Sequence, residues 1–240
     1  MIRIWGRTTS GCTQRVLWCL DEIGVNYEPL ILASAIMGPK GHISKGGTAY
    51  GVVDTPEYRA MNPGGTVPTI SDDGFALSDS TAIISYLALK HGPALYGNDL
   101  QKHALAVAWG IWTDSSLGPP VSKMMLNMTR LAPHRRDPAL VQQGAAELTE
   151  NIEILEKHLT KQTYLVGDSL TIGDILVGPT VHRALLMHPD LENVPQVRRW
   201  HATLSVRAGF QKHVAPREFH FDMTENSAPA DIPSNAAHNS

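Results

Sequence analysis

The stretch Asn62–Tyr86, NPGGTVPTISDDGFALSDSTAIISY, decides the fold of the first part of this chain. It predicts a strand that opens at Val67, a tight turn over residues 72–74, a short second strand and a helix that begins near Thr81. Pro68 cannot donate to a β-ladder, so the N–H and carbonyl of Val67 are left to pair with an extended peptide. The Val67–Pro68 bond is also a candidate for the cis isomer.

The start of that helix is the second informative feature of the stretch. The sequence Ser-Asp-Ser at residues 78–80 places short polar side chains beside the unpaired N–H groups and the positive dipole end of the helix. The open strand edge and the helix start together predict a groove for a small peptide. Such a peptide would have a free α-amino group and a free α-carboxyl group.

Length and composition narrow the possible classes of protein. The chain has 240 residues, enough for one large or two small domains, and its 42% hydrophobic content can build a sizeable core. A formal net charge of -3 gives no sign of a nucleic-acid partner. The eleven histidines are scattered without metal-ligand spacing, so no metal site is expected.

The sequence also indicates in which cellular compartment we expect the protein. The start of the chain lacks the apolar segment of a secretory signal, and no apolar run is long enough to span a membrane. Cys12 and Cys19 lie on one predicted helix, about 10 Å apart along its axis, which is too far for a disulfide. We therefore expect a cytoplasmic protein with no membrane partner.

Strands and helices alternate outside the central stretch, up to about residue 91. A β run at Ile2–Trp5, a helical stripe at Gly11–Gly24 and a second β run at Tyr27–Leu32 precede the hairpin. The helix after the hairpin is expected to end at Gly92. From Asp99 onward the pattern is helical.

The clearest helix start in this helical part lies at residues 170–175, LTIGDI. Thr171 is a good N-cap, Asp174 occupies the N3 position, and Leu170 and Ile175 occupy the positions of a hydrophobic staple. These features predict a role in folding and none in chemistry.

Two motifs in the central stretch resemble the glutathione site of the cytosolic glutathione S-transferases. The family pattern N-P-x-G-x-V-P appears as NPGGTVP at residues 62–68, and the family's acidic residue with Ser-x-Ala-Ile appears as DSTAI at residues 79–83. The IWGR start at residues 4–7 and the AMNP lead-in at residues 60–63 resemble a bacterial branch. The resemblance covers residues 2 to about 215.

This resemblance implies an architecture of two domains. An α+β thioredoxin-like domain that binds glutathione is expected at residues 1–91, with an insertion at about residues 33–47. A linker is expected at residues 92–98 and an all-α helical-bundle domain at residues 99–218. Residues 219–240 are expected to form a disordered tail. The family also implies a homodimer.

The resemblance further implies that a group at the start of the first helix stabilises the glutathione thiolate. A free thiol has a pKa of about 8.5, so it is mostly protonated at neutral pH. Ser10 matches the family's serine six positions before Val16, and it is also a plain N-cap candidate. Thr9 is its substitute. Cys12 competes with both, since a cysteine in the first helical turn either forms a mixed disulfide with glutathione or simply packs as a small residue.

The expected contacts of the glutathione peptide are Thr66, Val67, Pro68, Asp79 and Ser80. Asp79 would pair with the α-ammonium group, and Ser80 would hold the α-carboxylate at the helix start. Thr66 stands where many family members carry a basic residue near the glycyl carboxylate. Glutathione is thus the expected co-substrate.

The second substrate is expected to be a small hydrophobic electrophile that binds between the domains, at Trp112, Ser115 and Ser116. The leading hypothesis is a detoxifying glutathione transferase that joins glutathione to this electrophile or displaces its leaving group. Two alternatives stay open. One is glutathione-dependent disulfide reduction, which the WxxW at residues 109–112 and the LGP at residues 117–119 suggest by resemblance. The other is a binding protein that keeps the fold without catalysis.

Overall fold

The structure is a computed structural model that describes residues 1–33, 53, 55–96, 99–131, 133–188, 191 and 193–216. The predicted insertion, apart from Ala33, and the predicted tail at residues 219–240 lie outside the described residues.

A four-stranded mixed sheet forms the centre of the first part of the chain. Its strands are β1 (Arg3–Gly6), β2 (Ile31–Leu32), β3 (Thr69–Asp72) and β4 (Phe75–Ser78), in the order β2-β1-β3-β4. β1 and β2 are parallel, whereas β3 is antiparallel to both β1 and β4. The β3–β4 turn is confirmed, with positive φ angles of 49° at Asp73 and 90° at Gly74.

The second strand is shorter than the sequence predicts. Tyr27–Leu32 was the predicted span, but β2 comprises only Ile31–Leu32, and Tyr27 makes a single bridge to Ile2. Pro29 lies between the bridge and the strand. Because proline has no N–H to donate, it interrupts the ladder at this point.

Three helices cover the two faces of the sheet. They are α1 (Gly11–Ile23), α2 (Pro56–Met61) and α3 (Ser80–His91). Side chains alternate along β1, so Ile4 packs into the core formed with α1 and α3, while Trp5 packs on the opposite face with Tyr58 of α2. α1 ends as predicted at Gly24, whose φ of 69° is the left-handed conformation that favours glycine.

The second part of the chain is helical. Its α-helices are α4 (Leu100–Trp112), α5 (Gly118–Met125), α6 (Pro138–Leu159), α7 (Ile172–Met187), α8 (Pro195–Ser205) and α9 (Ala208–His213). The predicted linker, residues 92–98, lies between α3 and α4, and its division of the chain into two domains stays a prediction. Within the described ranges, no helix combines the length and the apolar character needed to cross a bilayer.

A π-helical turn joins α4 to α5. It spans Thr113–Leu117, and the N–H of Gly118 bonds to the carbonyl of Thr113. Pro119 and Pro120, which follow at once, have no N–H to continue the α-helical pattern. The wider π turn thus accommodates the two prolines.

Helix α7 runs through the middle of the molecule and packs on both α1 and α4. Its predicted capping box of Thr171 and Asp174 is present. The fully buried Asp174 carboxylate accepts hydrogen bonds from the N–H of Thr171 at 2.8 Å, the N–H of Leu165 at 2.9 Å and Nε1 of Trp200 at 2.8 Å. Burial raises the pKa of Asp174, and these hydrogen bonds act in the opposite direction.

We expect Asp174→Ala to lower the free energy of unfolding by at least about 3 kcal/mol, because three buried donors lose their acceptor and each unsatisfied donor costs about 1–3 kcal/mol. Denaturant unfolding followed by circular dichroism measures the change. Asp168→Ala, which removes an exposed carboxylate from the preceding loop, is the control and should leave stability unchanged. Equal stabilities for the two variants would show that Asp174 does not hold this part of the fold.

Candidate functional site

The junction between β1 and α1 presents polar groups at a free helix end. Ser10 is the N-cap of α1, and its Oγ accepts a hydrogen bond from the N–H of Thr13 at 3.4 Å. The N–H groups of Gly11 and Cys12 lie in the first turn, at the positive end of the helix dipole. Ser10 is therefore held with its hydroxyl hydrogen available to a further acceptor.

The two alternatives to Ser10 lie at the same junction. Thr9 is buried, and its Oγ1 makes no hydrogen bond within the described part of the chain. Its carbonyl accepts from Nη2 of Arg130 at 2.9 Å. Cys12 is partly buried in the first turn of α1. Cys19 is fully buried in the core, and this burial raises the pKa of its thiol.

A pocket of about 380 Å³ opens beside this junction. Thr9, Ser10 and Cys12 line it from the side of α1, so the structure brings the three candidate catalytic residues together. The opposite wall comes from α5, the turn that follows it, and α7. A volume of this size is typical of a site for a small molecule.

The edge predicted at Val67 is present. The Val67–Pro68 peptide bond is cis, and the ladder of β3 begins at Thr69. In the described part of the chain no hydrogen bond engages the N–H or carbonyl of Val67. The adjacent Thr66 carbonyl, in contrast, is held by the hydroxyl of Tyr58 at 2.6 Å and Nδ2 of Asn62 at 2.8 Å. The Val67 edge is thus rigidly placed and open, while the Thr66 side chain is exposed.

The start of α3 has an unusual backbone. Asp79 is the N-cap residue with φ of 74°, a conformation that non-glycine residues adopt rarely and that is common at functional sites. Its Oδ1 accepts from the N–H groups of Thr81 at 2.9 Å and Ala82 at 3.0 Å, whereas its Oδ2 makes no hydrogen bond with described residues. Ser80 is buried, and its Oγ accepts from Nη1 of Arg15 at 3.4 Å.

An ion pair between Arg15 and Asp114 connects this helix start to the pocket. Nη1 of Arg15 lies 2.7 Å from Oδ1 of Asp114, and Nη2 donates to Oγ1 of Thr180 at 3.1 Å. Oδ2 of Asp114 accepts from Oγ1 of Thr81 at 3.1 Å. Asp114 lines both the pocket and a shallow groove that contains Asp79. Neither Arg15 nor Asp114 belongs to a motif that was predicted from the sequence.

The residues predicted for the second substrate lie apart from the pocket. Trp112 is half-buried and packs edge-on against Trp109, with ring centroids 5.2 Å apart. Ser115 is exposed and lines the groove beside Asp79. Ser116 lies beside it, with the two hydroxyl oxygens 3.4 Å apart. None of Trp112, Ser115 and Ser116 is among the residues that line the pocket at α1.

Arginines line the pocket, a feature the sequence analysis did not anticipate. Arg7, Arg15, Arg130 and Arg183 all line it, and each is at most 8% exposed. No local pattern could have found them together, because they come from three distant parts of the chain, with Arg7 and Arg15 in the first. Within the described residues no group of histidine, cysteine and carboxylate side chains is arranged to hold a metal ion.

Arg183 is fixed against the start of α1. Its Nη2 donates to Oε1 of the buried Gln14 at 2.6 Å. A Cβ at Gly11 would clash with Nη1 of Arg183, so the glycine permits the close approach of the guanidinium. Burial lowers the pKa of Arg183 to about 10, with a further contribution from the charges of Arg15 and Arg7. The guanidinium is still protonated at neutral pH.

Comparison with known proteins places these features in a family. The glutathione S-transferase N-terminal domain model matches residues 9–90, and the glutathione S-transferase C-terminal domain model matches residues 138–203. Glutathione S-transferase GstB of Escherichia coli K12 is 27% identical over 217 residues, which cover 89% of this chain and 98% of that protein. Glutathione S-transferase F13 of Arabidopsis thaliana is 28% identical over 221 residues, 88% of this chain and 94% of that protein.

Solved structures agree with the family models. The theta class glutathione S-transferase of Xanthomonas axonopodis pv. citri, crystallised with glutathione bound, superimposes with a TM-score of 0.77 at 32% identity. The match covers 90% of this chain and 97% of that one. A thioredoxin-like domain followed by a helical domain is the architecture expected from the sequence. The chain belongs to the cytosolic glutathione S-transferase superfamily.

Proposed function

We propose that this protein is a glutathione transferase that joins the sulfur of glutathione to a small electrophile. The observation that carries the proposal is the free start of α1, where Ser10 opens into the pocket at α1. The names of the relatives support the same activity. The bound glutathione thiolate would face the electrophile across this pocket.

The peptide part of glutathione would lie along the Val67 edge and the start of α3. The unengaged N–H and carbonyl of Val67 pair with the cysteinyl backbone of an extended peptide, and Pro68 keeps the strand from closing this edge. Thr66, exposed beside it, lies nearest the glycyl end. Val67 lies just before β3, and no strand of the described sheet pairs with it.

The γ-glutamyl end meets two carboxylates and a helix start. Oδ2 of Asp79 accepts a hydrogen bond from the α-ammonium group, and Asp114, in the same groove, adds a second negative charge. The N–H and hydroxyl of Ser80 hold the α-carboxylate at the positive end of α3. The α-ammonium group of the γ-glutamyl end thus lies beside negative charge, and its α-carboxylate lies at a positive helix end.

Ser10 stabilises the thiolate. Since its Oγ already accepts from the N–H of Thr13, its own hydrogen is free to point at the sulfur. The dipole of α1 and the Arg183 guanidinium add positive potential at the same place. The thiol releases its proton to water, the sulfur then forms a bond to the electrophilic carbon, and a leaving group departs with its electron pair.

Disulfide reduction is the second candidate, and the position of Cys12 favours it. Cys12 lines the pocket at α1 beside Ser10, in the first turn of α1. In that reaction the Cys12 thiolate would attack the glutathione sulfur of a mixed disulfide, so that a Cys12–glutathione disulfide forms and the substrate leaves as a thiolate. The thiolate of a second glutathione would then attack the glutathione sulfur of that adduct, which forms oxidised glutathione and releases the Cys12 thiolate.

We further propose a cytoplasmic homodimer. Apolar side chains are exposed on α3 and α4, at Leu89, Leu100, Leu105 and Ile111. An exposed apolar face of this kind is typical of a subunit interface. The Asp79 groove lies beside this face, since Ile111 lines the groove.

Replacing Ser10 by alanine should raise the pKa of the glutathione thiol in the complex by about one unit, which corresponds to about 1.4 kcal/mol of lost thiolate stabilisation. Turnover with aryl halides should fall at neutral pH and recover partly as pH rises, because the thiol then ionises without help. The thiolate ultraviolet absorbance of bound glutathione, titrated against pH, measures the shift.

Cys12→Ala separates the two mechanisms. Under the transferase mechanism it leaves both the thiol pKa and the turnover of aryl halides nearly intact. The reductase mechanism would replace the transferase mechanism on three results together. Ser10→Ala would be fully active, Cys12→Ala would be inactive, and mass spectrometry would find a glutathione adduct on Cys12 of the unmodified protein.

Asp79→Asn tests the γ-glutamyl contact. Asparagine keeps the hydrogen bonds that cap α3 and tolerates a positive φ, but it removes the negative charge. We expect the KM for glutathione to rise about tenfold with a smaller change in kcat, since the contact exists in both the ground and the transition state. The melting temperature should stay the same. An unchanged KM would remove Asp79 from the glutathione site.

A further inference from the structure

The pocket at α1 has an uneven distribution of charge. Among the described residues, its lining contains the guanidinium groups of Arg7, Arg15, Arg130 and Arg183 and one carboxylate, that of Asp114. Asp114 is paired with Arg15 at 2.7 Å. The positive charges therefore outnumber the negative ones among the residues of the wall.

The guanidinium groups are fixed in place. Arg130 is held by the Thr9 carbonyl at 2.9 Å and Arg183 by the Gln14 side chain at 2.6 Å. An anionic ligand beside several guanidinium groups is electrostatically favoured. A guanidinium carries five N–H donors in a planar fork, so it can contact the protein and a carboxylate at the same time.

A neutral donor at the same wall points to a ligand as well. The Thr9 side chain is 4% exposed and lines the pocket, and its Oγ1 has no hydrogen-bond partner in the described part of the chain. A buried hydroxyl without a partner costs free energy. A bound anion that reached Arg130 would lie close to Thr9, because the two residues are hydrogen-bonded to each other.

The rest of the wall is apolar. Pro119, Val121, Met125 and Leu126 line it from α5 and the turn that follows. One side of the pocket thus suits a hydrocarbon body, and the other suits a negative charge. The volume of about 380 Å³ is sufficient for a substituted benzene ring.

We propose that the pocket at α1 selects electrophiles that combine an apolar body with a carboxylate, the carboxylate lying against Arg130, Arg7 and Thr9. This proposal rests on the proposed transferase function, which places the glutathione sulfur beside Ser10 at the same pocket. It narrows the small hydrophobic electrophile expected from the sequence to one that also carries a carboxylate.

A matched pair of unreactive ligands tests the proposal without turnover. 3-Nitrobenzoate and 3-nitrobenzamide differ in charge but hardly in shape, and neither has a group that glutathione displaces under these conditions. Isothermal titration of the full chain should give a Kd for the benzoate at least about tenfold lower than for the benzamide, since a hydrogen bond between a guanidinium and a carboxylate is stronger than one to a neutral amide. Equal affinities, or a preference for the amide, would overturn the proposal.

The same titration is repeated with saturating S-methylglutathione, which occupies the glutathione site. The preference for the benzoate should persist, because the carboxylate occupies a separate part of the site. If the preference disappears, the arginines serve glutathione itself, and the proposal is wrong.

Arg130→Gln removes one guanidinium, Arg130→Lys keeps the charge, and Arg135→Gln is the control because Arg135 is exposed near the same turn. We expect Arg130→Gln to weaken binding of the benzoate about tenfold and to leave the benzamide unchanged, with partial recovery in Arg130→Lys. If Arg130→Gln does not fold, Arg7→Gln takes its place. Equal benzoate affinities in the glutamine variant and the control would contradict the proposal.

Turnover then separates this proposal from the proposed function. With 4-chloro-3-nitrobenzoate the thiolate sulfur bonds to the ring carbon and chloride leaves with the electron pair. After division by the uncatalysed rates, kcat/KM should be at least about tenfold higher than with 4-chloro-3-nitrobenzamide. Turnover of the amide alone would overturn the anionic preference but keep the transferase. Selective binding of 3-nitrobenzoate without turnover of either compound would support the anion pocket and count against the transferase.

Discussion

The ion pair between Arg15 and Asp114 is the contact on which the geometry of the site depends. Through Arg15 it joins α1 to Ser80 at the start of α3 and to Thr180 of α7, and through Asp114 it joins the turn after α4. The Arg15 side chain is almost fully buried. Removing the Asp114 carboxylate would leave the buried Arg15 guanidinium without its ion-pair partner. The pair therefore fixes the starts of α1 and α3 in position relative to the helical part of the chain. These are the two helix starts that we propose bind glutathione.

Local signals explain how much of the fold was predictable. The β3–β4 turn needs two residues with positive φ, and the capping box needs Thr171 and Asp174 three positions apart, so both were predicted from neighbouring residues. The β-prone residues on either side of Pro29 predict a longer second strand, but Pro29 interrupts that strand. The second strand pairs with β1, which is far away in the sequence, and a local pattern cannot predict such a pairing.

The candidate site was predictable only in part, for the same reason. The Val67 edge and the start of α3 lie in one contiguous stretch whose spacing carries the resemblance to the family. Arg15 and Asp114 are 99 residues apart, and Arg130 and Thr9 are 121 apart. Arginines at such distances look like ordinary surface charges in the sequence. Only the packing of α7 against α1, and of α5 against α7, brings them to one pocket, where they change the kind of electrophile that we expect.

The central claim is that the sulfur of bound glutathione lies at the start of α1, between Ser10 and the arginine-lined pocket. A crystal structure of the protein with reduced glutathione tests it most directly. We predict the sulfur within hydrogen-bonding distance of the Ser10 hydroxyl, the cysteinyl backbone paired with Val67 and the γ-glutamyl end at Asp79 and Ser80. A sulfur bonded covalently to Cys12, or a glutathione whose carboxylates occupy the arginines of the pocket, would contradict the account.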